Sequence, residues 1–243
     1  MAEIIFRFRE FDLQQNAEVF PLGTDTMLLG AWVQPLEARS ILDVGTGTGA
    51  LALMMAQKTT VNIAAIDVSE KAAELARLNV KQSKWPSQIA VSQISLQEFA
   101  KTNHNHFDLI ISNPPYFRNS LKPQKLHRAT ARHDDRLPLC DLLHFSLLLL
   151  SAKGRICLVL PTTEAVHFIG LAEVSPLHLL KKALVKPTTS HPPNRMLLEF
   201  SKDPQAVAEE MIVIREGNPA HYTGQYIEMT KAFHFPGALG PAE

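Results

Sequence analysis

Apolar and polar positions alternate between two periodicities from about residue 40 to residue 173. Short apolar runs, typical of buried strands, alternate with stretches whose apolar residues recur every three or four positions, as on one face of a helix. The predicted strands are Ser40–Val44, Val61–Ile66, Ile89–Ile94, Phe107–Ser112 and Arg155–Leu160. The predicted helices are Ala50–Lys58, a helix opened by Ser69 and running to about Ser83, residues 135–151 with a stop near Gly154, and a helix from Pro161 to about Glu173. This alternation predicts an α/β fold with a mostly parallel sheet and helices on both faces.

The pattern changes after residue 175, where three predicted strands follow one another without long helices between them. These strands are Leu177–Lys186, Arg195–Ser201 and Met211–Arg215. Strands joined by short connections pair antiparallel, so an antiparallel edge is expected here. The tail Tyr222–Phe233 predicts a last helix or an extended cover. We therefore expect a single domain over residues 1–243, with an N-terminal cap segment (1–39), a core (40–173) and an antiparallel edge with a C-terminal cover (174–243).

Composition narrows the function classes. The chain has 243 residues, 46% of them hydrophobic, and a formal net charge of zero, so attraction to a polyanion must come from local patches. Its two cysteines, Cys140 and Cys157, lack the spacing of a zinc site or a disulfide framework. The apolar run Leu142–Leu150 is too short to span a bilayer, and the first residues lack the order of a signal peptide. We expect a cytoplasmic protein that uses no membrane and no metal.

A glycine-rich loop separates the first strand of the core from its helix. Gly45, Gly47 and Gly49 follow Asp43 there, and Asp67 ends the next strand. Glycines let the backbone turn sharply and let a ligand lie close to it, and Asp67 can accept hydrogen bonds from two ribose hydroxyls. The spacing fits both a nicotinamide dinucleotide and S-adenosylmethionine, and a turn without a ligand is the third possibility. Asp43 favours S-adenosylmethionine, because a carboxylate repels a pyrophosphate and attracts a cationic methionyl group.

The sequence Asn113-Pro114-Pro115-Tyr116 directly follows the predicted strand Phe107–Ser112. Open α/β sheets place their ligands at the carboxyl ends of strands, and two prolines hold the chain in an extended turn. Such a turn fixes the Asn113 amide and a backbone carbonyl beside an aromatic ring, which suits the binding of a planar NH2 group. The alternative is a proline-terminated strand with a surface tyrosine.

Taken together, these motifs resemble the class I S-adenosylmethionine-dependent methyltransferases that act on exocyclic or amide nitrogens. Two flanking segments and the aromatic tail narrow the resemblance to the bacterial tRNA(Val) adenine N6-methyltransferases. They are Phe20–Trp32, His191–Phe200, and the residues around Tyr222, Tyr226 and Phe233. The resemblance covers most of the chain. It implies a Rossmann-like, seven-stranded sheet with an antiparallel C-terminal edge, S-adenosyl-L-methionine as cofactor, and N6-methylation of an adenosine next to the anticodon.

The resemblance and the local chemistry together assign site residues. We expect the Asn113 side-chain oxygen and the Pro114 carbonyl to accept hydrogen bonds from the substrate amino group, while Tyr116 stacks on the base. Thr24 and Asp25 are assigned to the methionyl end of the cofactor, and a helix cap is the alternative. Members of the wider class often carry an acid after the third strand that binds the adenine amino group. Here Ser95 occupies that place, which weakens the contact or leaves it to a backbone carbonyl.

A basic segment follows the Asn-Pro-Pro-Tyr motif. Its cations outnumber its acids by four, which suits phosphate contacts to tRNA, although charges of this kind also serve solubility alone. The cations are Arg118, Lys122, Lys125, Arg128, Arg132 and Arg136, against Asp134 and Asp135. Its histidines, His127 and His133, are interpreted as neighbours of phosphate or solvent rather than metal ligands, and His104 and His106 lie in a polar loop without an acidic or cysteine partner nearby.

Four other functions compete with the tRNA hypothesis. Protein glutamine N5-methyltransferases solve the same chemical problem, but they carry a longer helical domain ahead of the core, and only 42 residues precede Asp43 here. An rRNA guanine N2-methyltransferase is the next alternative. A cofactor-binding scaffold without activity would show a damaged motif, and a nicotinamide oxidoreductase would need a hydride-transfer acid or base that the second half does not display. We expect the protein to be a monomer.

Overall fold

The computed structural model describes residues 4–103, 106–115, 137–217, 221–236 and 238. The strands in chain order are β1 Ile4–Arg7, β2 Asp12–Gln15, β3 Ser40–Val44, β4 Asn62–Asp67, β5 Ile89–Gln93, β6 Phe107–Ser112, β7 Leu150–Pro161, β8 His178–Thr188, β9 Arg195–Ser201, β10 Ala208–Glu216 and β11 His221–Tyr222. The helices are α1 Thr24–Trp32, α2 Ala50–Lys58, α3 Glu70–Gln82, α4 Leu96–Thr102, α5 Leu139–Leu149, α6 Thr162–Glu173 and α7 Gly224–Thr230. None of these helices is long and apolar enough to cross a membrane.

The main sheet has the strand order β11-β10-β8-β9-β7-β6-β3-β4-β5. Strand β3 lies between β6 and β4, and all the pairs from β7 to β5 are parallel. The predicted α/β fold with a mostly parallel sheet is therefore confirmed. Because the carboxyl ends of β3, β4 and β6 lie side by side, the loops that follow these strands meet at one edge of the sheet.

The expected strand number was too low. The sheet has nine strands in the described part of the chain, two more than the expected seven; β10, which contains the predicted strand Met211–Arg215, and the unpredicted β11 lie beyond β8. The expected antiparallel edge is confirmed for β9, which runs antiparallel to both β7 and β8. Strand β10 departs from the expectation because it crosses over to the far side of β8 and pairs with it in parallel.

Gly154 does not stop a helix, contrary to the sequence prediction. Helix α5 already ends at Leu149, and Gly154 lies inside β7. A Cβ atom at Gly154 would lie 2.7 Å from the carbonyl oxygen of Phe107 on the neighbouring strand. The glycine is therefore needed for close approach between strands.

Side chains on both faces of the sheet are buried by helices. Ile41 belongs to a core cluster with Ile63 on one face, and its neighbour Leu42 belongs to a second cluster with Ile66 on the other. This alternation follows from the pleat of a strand, which turns successive side chains to opposite faces. It confirms the prediction of helices on both faces of the sheet.

The N-terminal segment contains a hairpin, β1–β2, and the helix α1. Phe8 of the hairpin stacks on Phe11 at a centroid distance of 4.3 Å and meets Phe233 edge-on at 6.4 Å. The hairpin thus packs against the C-terminal tail, so both ends of the chain contribute to one core cluster.

The outer edge of β10 pairs with β11 only at Arg215 and Glu216. At Met211 and Val213, which precede these residues on β10, the side chain of Gln225 makes the hydrogen bonds that a neighbouring strand would otherwise make. Its Nε2 donates to the Met211 carbonyl at 2.8 Å, and its Oε1 accepts from the Val213 amide at 3.2 Å. This side chain satisfies edge groups that β11 is too short to reach.

Candidate active site

A cavity of about 510 Å³ opens where the carboxyl ends of β3, β4 and β6 meet. Val44, Asp67 and Ser112, the last residues of these strands, all line it. Val44 pairs with Ser112 in the ladder, and the Ser112 hydroxyl donates to the Val44 carbonyl at 2.8 Å. The cavity therefore lies where α/β sheets place their ligands, as the sequence predicts.

The loop after β3 has a backbone conformation that favours glycine at three positions. Gly45, Gly47 and Gly49 have φ angles of +71°, +56° and +83°. The amide of Gly45 donates to the Ile66 carbonyl at 2.9 Å, which ties the loop to β4. A Cβ atom on Gly49 would lie 3.3 Å from the Ala76 side chain of α3. Side chains at these positions would strain the backbone, so the tight path along the cavity depends on glycine.

Asp43 acts on this loop from behind and does not line the cavity. Its carboxylate is fully buried, and one oxygen accepts from the Thr46 hydroxyl at 2.6 Å and from the Ala52 amide at 3.2 Å. The other oxygen, Oδ1, has no hydrogen-bond partner among the described residues. Burial raises the pKa of Asp43 to about 7, although both hydrogen bonds act in the opposite direction. In the structure Asp43 therefore supports the loop, and its attraction of a methionyl group stays a prediction.

Asp67 lines the cavity as expected. Its Oδ2 accepts from the Gly47 amide and its Oδ1 from the Ser69 amide, both at 2.9 Å. These bonds fix the carboxylate, and each oxygen retains a further lone pair for a ligand hydroxyl. Burial raises the pKa of Asp67, and the two backbone hydrogen bonds lower it.

Asn113 is held in one orientation by a residue that the sequence analysis did not identify. Its Nδ2 donates to the Thr26 hydroxyl of α1 at 2.9 Å. Its Oδ1 is buried and has no hydrogen-bond partner among the described residues. Thr26, Asn113 and Pro114 line the cavity together. A buried acceptor without a partner is costly, so its presence at a cavity wall marks a site for a ligand donor.

Thr24 and Asp25, the residues predicted to hold a methionyl group or cap a helix, lie next to the cavity in the first turn of α1. Gly23 is the N-cap of α1, and neither Thr24 nor Asp25 lines the cavity. Asp25 instead pairs with Arg195 of β9 at 2.9 Å, and both side chains are largely buried. This ion pair anchors the first turn of α1, the turn that carries Thr26.

Ser95 lines the cavity and also begins α4 as its N-cap. Its hydroxyl oxygen accepts from the Glu98 amide at 3.2 Å. Gln97, two residues further on, lines the same wall, and its Nε2 donates to Asp141 at 2.9 Å. The wall that follows β5 therefore presents the neutral polar groups of Ser95 and Gln97.

Phe20 is a second residue that the sequence analysis did not assign a role. It lines the cavity, yet its side chain is 88% exposed. The segment that carries it is well anchored, since Asn16 accepts from the Val19 amide at 3.0 Å and Gln15 accepts from the Leu22 amide at 2.7 Å. An anchored segment with an exposed ring presents that ring to the cavity entrance.

Tyr116 and the predicted RNA-binding cations lie outside the described residues. The cations are Arg118, Lys122, Lys125, Arg128, Arg132 and Arg136. The residues that bracket this segment, Pro115 and Leu137, both line the cavity. Elsewhere, among the residues that the structure does describe, no group of three His, Cys, Asp or Glu side chains is arranged to hold a metal ion.

Comparisons with known proteins agree with this geometry. A sequence model of the Methyltransferase small domain matches residues 17–135. A curated tRNA1(Val) (adenine(37)-N6)-methyltransferase of Trichodesmium erythraeum is 38% identical over 94% of this chain and 97% of its own length. The enzyme of the same name from Parabacteroides distasonis is 38% identical over 96% of this chain and 99% of its own length. The chain belongs to the tRNA1(Val) (adenine(37)-N6)-methyltransferase family. The family resemblance predicted from the sequence is thereby confirmed.

Solved structures support the fold of this methyltransferase family. A protein of Agrobacterium tumefaciens described as a predicted O-methyltransferase superposes with a TM-score of 0.67, at 19% identity, over 90% of this chain and 99% of its own. The tRNA m1G37 methyltransferase of M. jannaschii gives a TM-score of 0.57, at 16% identity, over 84% of this chain and 57% of its own. At such identities the likeness shows the class I methyltransferase fold alone.

Proposed function

We propose that this protein transfers a methyl group from S-adenosyl-L-methionine to N6 of adenosine 37 of tRNA1(Val). One observation carries the proposal: Asn113, whose buried Oδ1 has no hydrogen-bond partner among the described residues, lines a cavity beside a methyltransferase glycine loop. The names of the relatives, 38% identical over nearly the whole chain, supply the substrate.

The residues around the cavity fit the cofactor. The glycines leave room for a ligand close to the backbone, and Asp67 has lone pairs for ribose hydroxyls. Ser95 and its neighbours form the wall for the adenine. When bound, S-adenosyl-L-methionine would supply an electrophilic methyl group. The electron pair of the broken carbon–sulfur bond would stay on the sulfur. Asp43 holds the loop in position from behind.

Asn113 and Pro114 act on the substrate nitrogen. The lone pair of an adenine amino group is delocalised into the ring, which makes the nitrogen a poor nucleophile. Two acceptors, the Asn113 Oδ1 and the Pro114 carbonyl, bind the two amino hydrogens and favour a pyramidal nitrogen. As the nitrogen becomes positive in the transition state, both hydrogen bonds strengthen. The amino group then loses one proton to solvent, and no side-chain base is required.

The adenine has to leave its stack to reach Asn113. An anticodon loop is already partly unstacked, which lowers the cost of flipping the base. Tyr116 is the last residue of the motif, and the exposed ring of Phe20 lines the cavity. Both are proposed to contact a flipped base. The cations of residues 118–136 are proposed to bind the phosphates on either side.

A parallel methyl-transfer assay tests this function. Labelled cofactor is incubated with total tRNA, total rRNA and a purified release factor, and the products are digested to nucleosides or amino acids. We expect label only in tRNA, as N6-methyladenosine. A tRNA1(Val) transcript with guanosine in place of adenosine 37 should take up no label. Label on the release factor alone, as methylated glutamine, would overturn the proposal.

A further inference from the structure

Charged residues along β8 and β10 are distributed unevenly. In the amino-terminal half of the two strands, Lys181 pairs with Glu210 at 2.8 Å and Lys182 pairs with Glu209 at 2.9 Å. The parallel register brings these side chains together, because Lys182 lies directly opposite Glu209. Each lysine neutralises one glutamate, so these four residues carry no net charge.

The carboxyl ends of the same strands carry cations without a carboxylate partner among the described residues. Lys186 of β8 donates only to a backbone carbonyl, that of Thr189, at 2.7 Å. Arg215 of β10 is exposed, and its guanidinium carbon lies 4.2 Å from the centre of the Tyr222 ring. A guanidinium stacked on a ring is held in one plane, and its N–H groups stay available to an anion.

The stack continues into the core of the protein. Tyr222 lies parallel to Tyr226, with centroids 4.9 Å apart and an angle of 13° between the rings. Tyr226 is buried, so it anchors Tyr222 and, through it, Arg215. The acid nearest in sequence, Glu216, follows Arg215 on the strand, and successive strand residues point to opposite faces.

These cations lie at the same edge of the sheet as the active site. Strand β9 runs antiparallel to β7 and β8, so β8 and β10 point in the same direction as β6. In the strand order, β8 is three positions and β10 four positions from β6, which ends in the Asn113 motif. With strands about 4.8 Å apart, Lys186 and Arg215 are roughly 14 and 19 Å along the edge from that motif. Stacked nucleotides advance about 3.4 Å each, so the span corresponds to roughly four to six nucleotides.

We propose that Lys186, Arg215 and Tyr222 form a second contact surface for RNA, which binds backbone phosphates several nucleotides away from the methylated adenosine. The inference rests on the proposed tRNA substrate. Lys186 supplies a point charge, and Arg215, oriented by Tyr222, supplies a planar set of donors for phosphate oxygens. The surface holds the anticodon arm, while the Asn113 motif engages the base.

The test is a comparison of two double variants that each remove two positive charges. Lys186→Gln/Arg215→Gln neutralises the surface, and Lys153→Gln/Lys182→Gln neutralises two cations toward the amino ends of β7 and β8. Binding of a tRNA1(Val) anticodon-arm RNA is measured by filter retention at a series of KCl concentrations, alongside KM and kcat for full-length tRNA. Thermal unfolding of each variant verifies the fold.

We expect the first variant to raise the dissociation constant and KM roughly threefold to tenfold, with kcat little changed. Its salt slope should fall by about one unit for each phosphate that the variant no longer binds. Arg215→Lys, which keeps the charge, should keep the slope. Equal effects of the two double variants would contradict the proposed contact surface. An unchanged salt slope in Lys186→Gln/Arg215→Gln would contradict it as well. A wild-type protein that binds the RNA but does not methylate it would instead refute the proposed function, and the binding comparison would still decide the surface.

Discussion

The Asn113 carboxamide is oriented by Thr26, whose hydroxyl accepts a hydrogen bond from Nδ2 at 2.9 Å. This bond occupies the donor side of the amide and leaves the acceptor, Oδ1, buried at the cavity wall. An amide that turned over would present N–H groups to an amino substrate, so the bond to Thr26 is made in the orientation that the reaction requires. The two residues are 87 positions apart in the chain, so α1 and β6 must be packed correctly for the site to exist.

Replacing Thr26 with Val removes the hydroxyl at nearly constant volume. Because Asn113 is then free to turn, we expect kcat to fall roughly tenfold to a hundredfold, the range typical of a missing positioning group. The dissociation constant for the cofactor, measured by calorimetry, should change less than about twofold. Thr102→Val, which removes an exposed hydroxyl on α4, serves as the matched control. A Thr26→Val enzyme with normal kcat would contradict the positioning role.

Replacing Asn113 with Ala removes the acceptor itself. We expect turnover to fall by about 10² or more, as for the loss of one preorganised dipole in a transition state. Cofactor affinity and thermal stability should stay close to the wild-type values, since the variant gives up a single part-buried hydrogen bond to Thr26. Single-turnover methylation of tRNA checks the rate, and Asn62→Ala, an exposed residue at the start of β4, is the control. Wild-type turnover in Asn113→Ala would contradict the role of Asn113 in the proposed mechanism.

The buried carboxyl of Asp43 predicts a dependence of stability on pH. Burial raises its pKa to about 7, above the value of 3.8 for a free side chain, so the native state binds more protons than the unfolded state between these values. Stability from this group is therefore present below pH 4 and is lost as pH rises toward 7, with a slope of at most about 1.4 kcal/mol per pH unit.

Asp43→Asn isolates this contribution, because the variant does not titrate. We expect the wild-type protein to lose stability relative to the variant between pH 5 and pH 7, as measured by urea unfolding at each pH. Groups that do not interact with Asp43, among them His234, whose pKa is lowered by burial, titrate equally in both proteins and cancel in the difference. A difference that does not vary with pH would show that Asp43 has an ordinary pKa.

A substitution at Ser95 can test whether the cavity wall after β5 binds the adenine of the cofactor, because it should raise the affinity for the cofactor. Ser95→Asp preserves the N-cap of α4, since Asp caps a helix as well as Ser does, and adds a carboxylate that can accept from an adenine amino group. We expect the cofactor to bind several times more tightly, because the new acceptor is charged. Ser95→Ala should instead lower stability by about 1 kcal/mol, because the helix then has no cap. Equilibrium dialysis with labelled cofactor gives the affinities, and unchanged binding by Ser95→Asp would place the adenine elsewhere.

The elements that sequence reasoning located are those whose pattern is local. The strand Phe107–Ser112, the helix Ala50–Lys58 and the cap at Ser69 agree with the structure, because periodicity and capping chemistry are set by neighbouring residues. The glycine loop was located for the same reason. The family resemblance added the substrate class, which periodicity and spacing do not specify.

Contacts between distant segments were missed. Thr24 and Asp25 precede the cavity residue Thr26 on α1. Each helical position rotates the side chain by about 100°, so a shift of one or two residues moves a side chain off the cavity. The pairing of Asp25 with Arg195 spans 170 positions and has no local signature. Gly154 was misread as a helix stop, because a glycine required by a neighbouring strand looks the same in sequence as one that ends a helix.

The Gln225 side chain at the edge of β10 has a consequence for how this sheet can grow. An incoming strand from another molecule, or an extended peptide, needs the Met211 carbonyl and the Val213 amide to begin pairing, and Gln225 already occupies both. Addition of a strand would first have to displace this amide from α7. The Gln225 side chain therefore protects the exposed edge of β10, and its loss would leave the Met211 carbonyl and the Val213 amide open to pairing with another molecule.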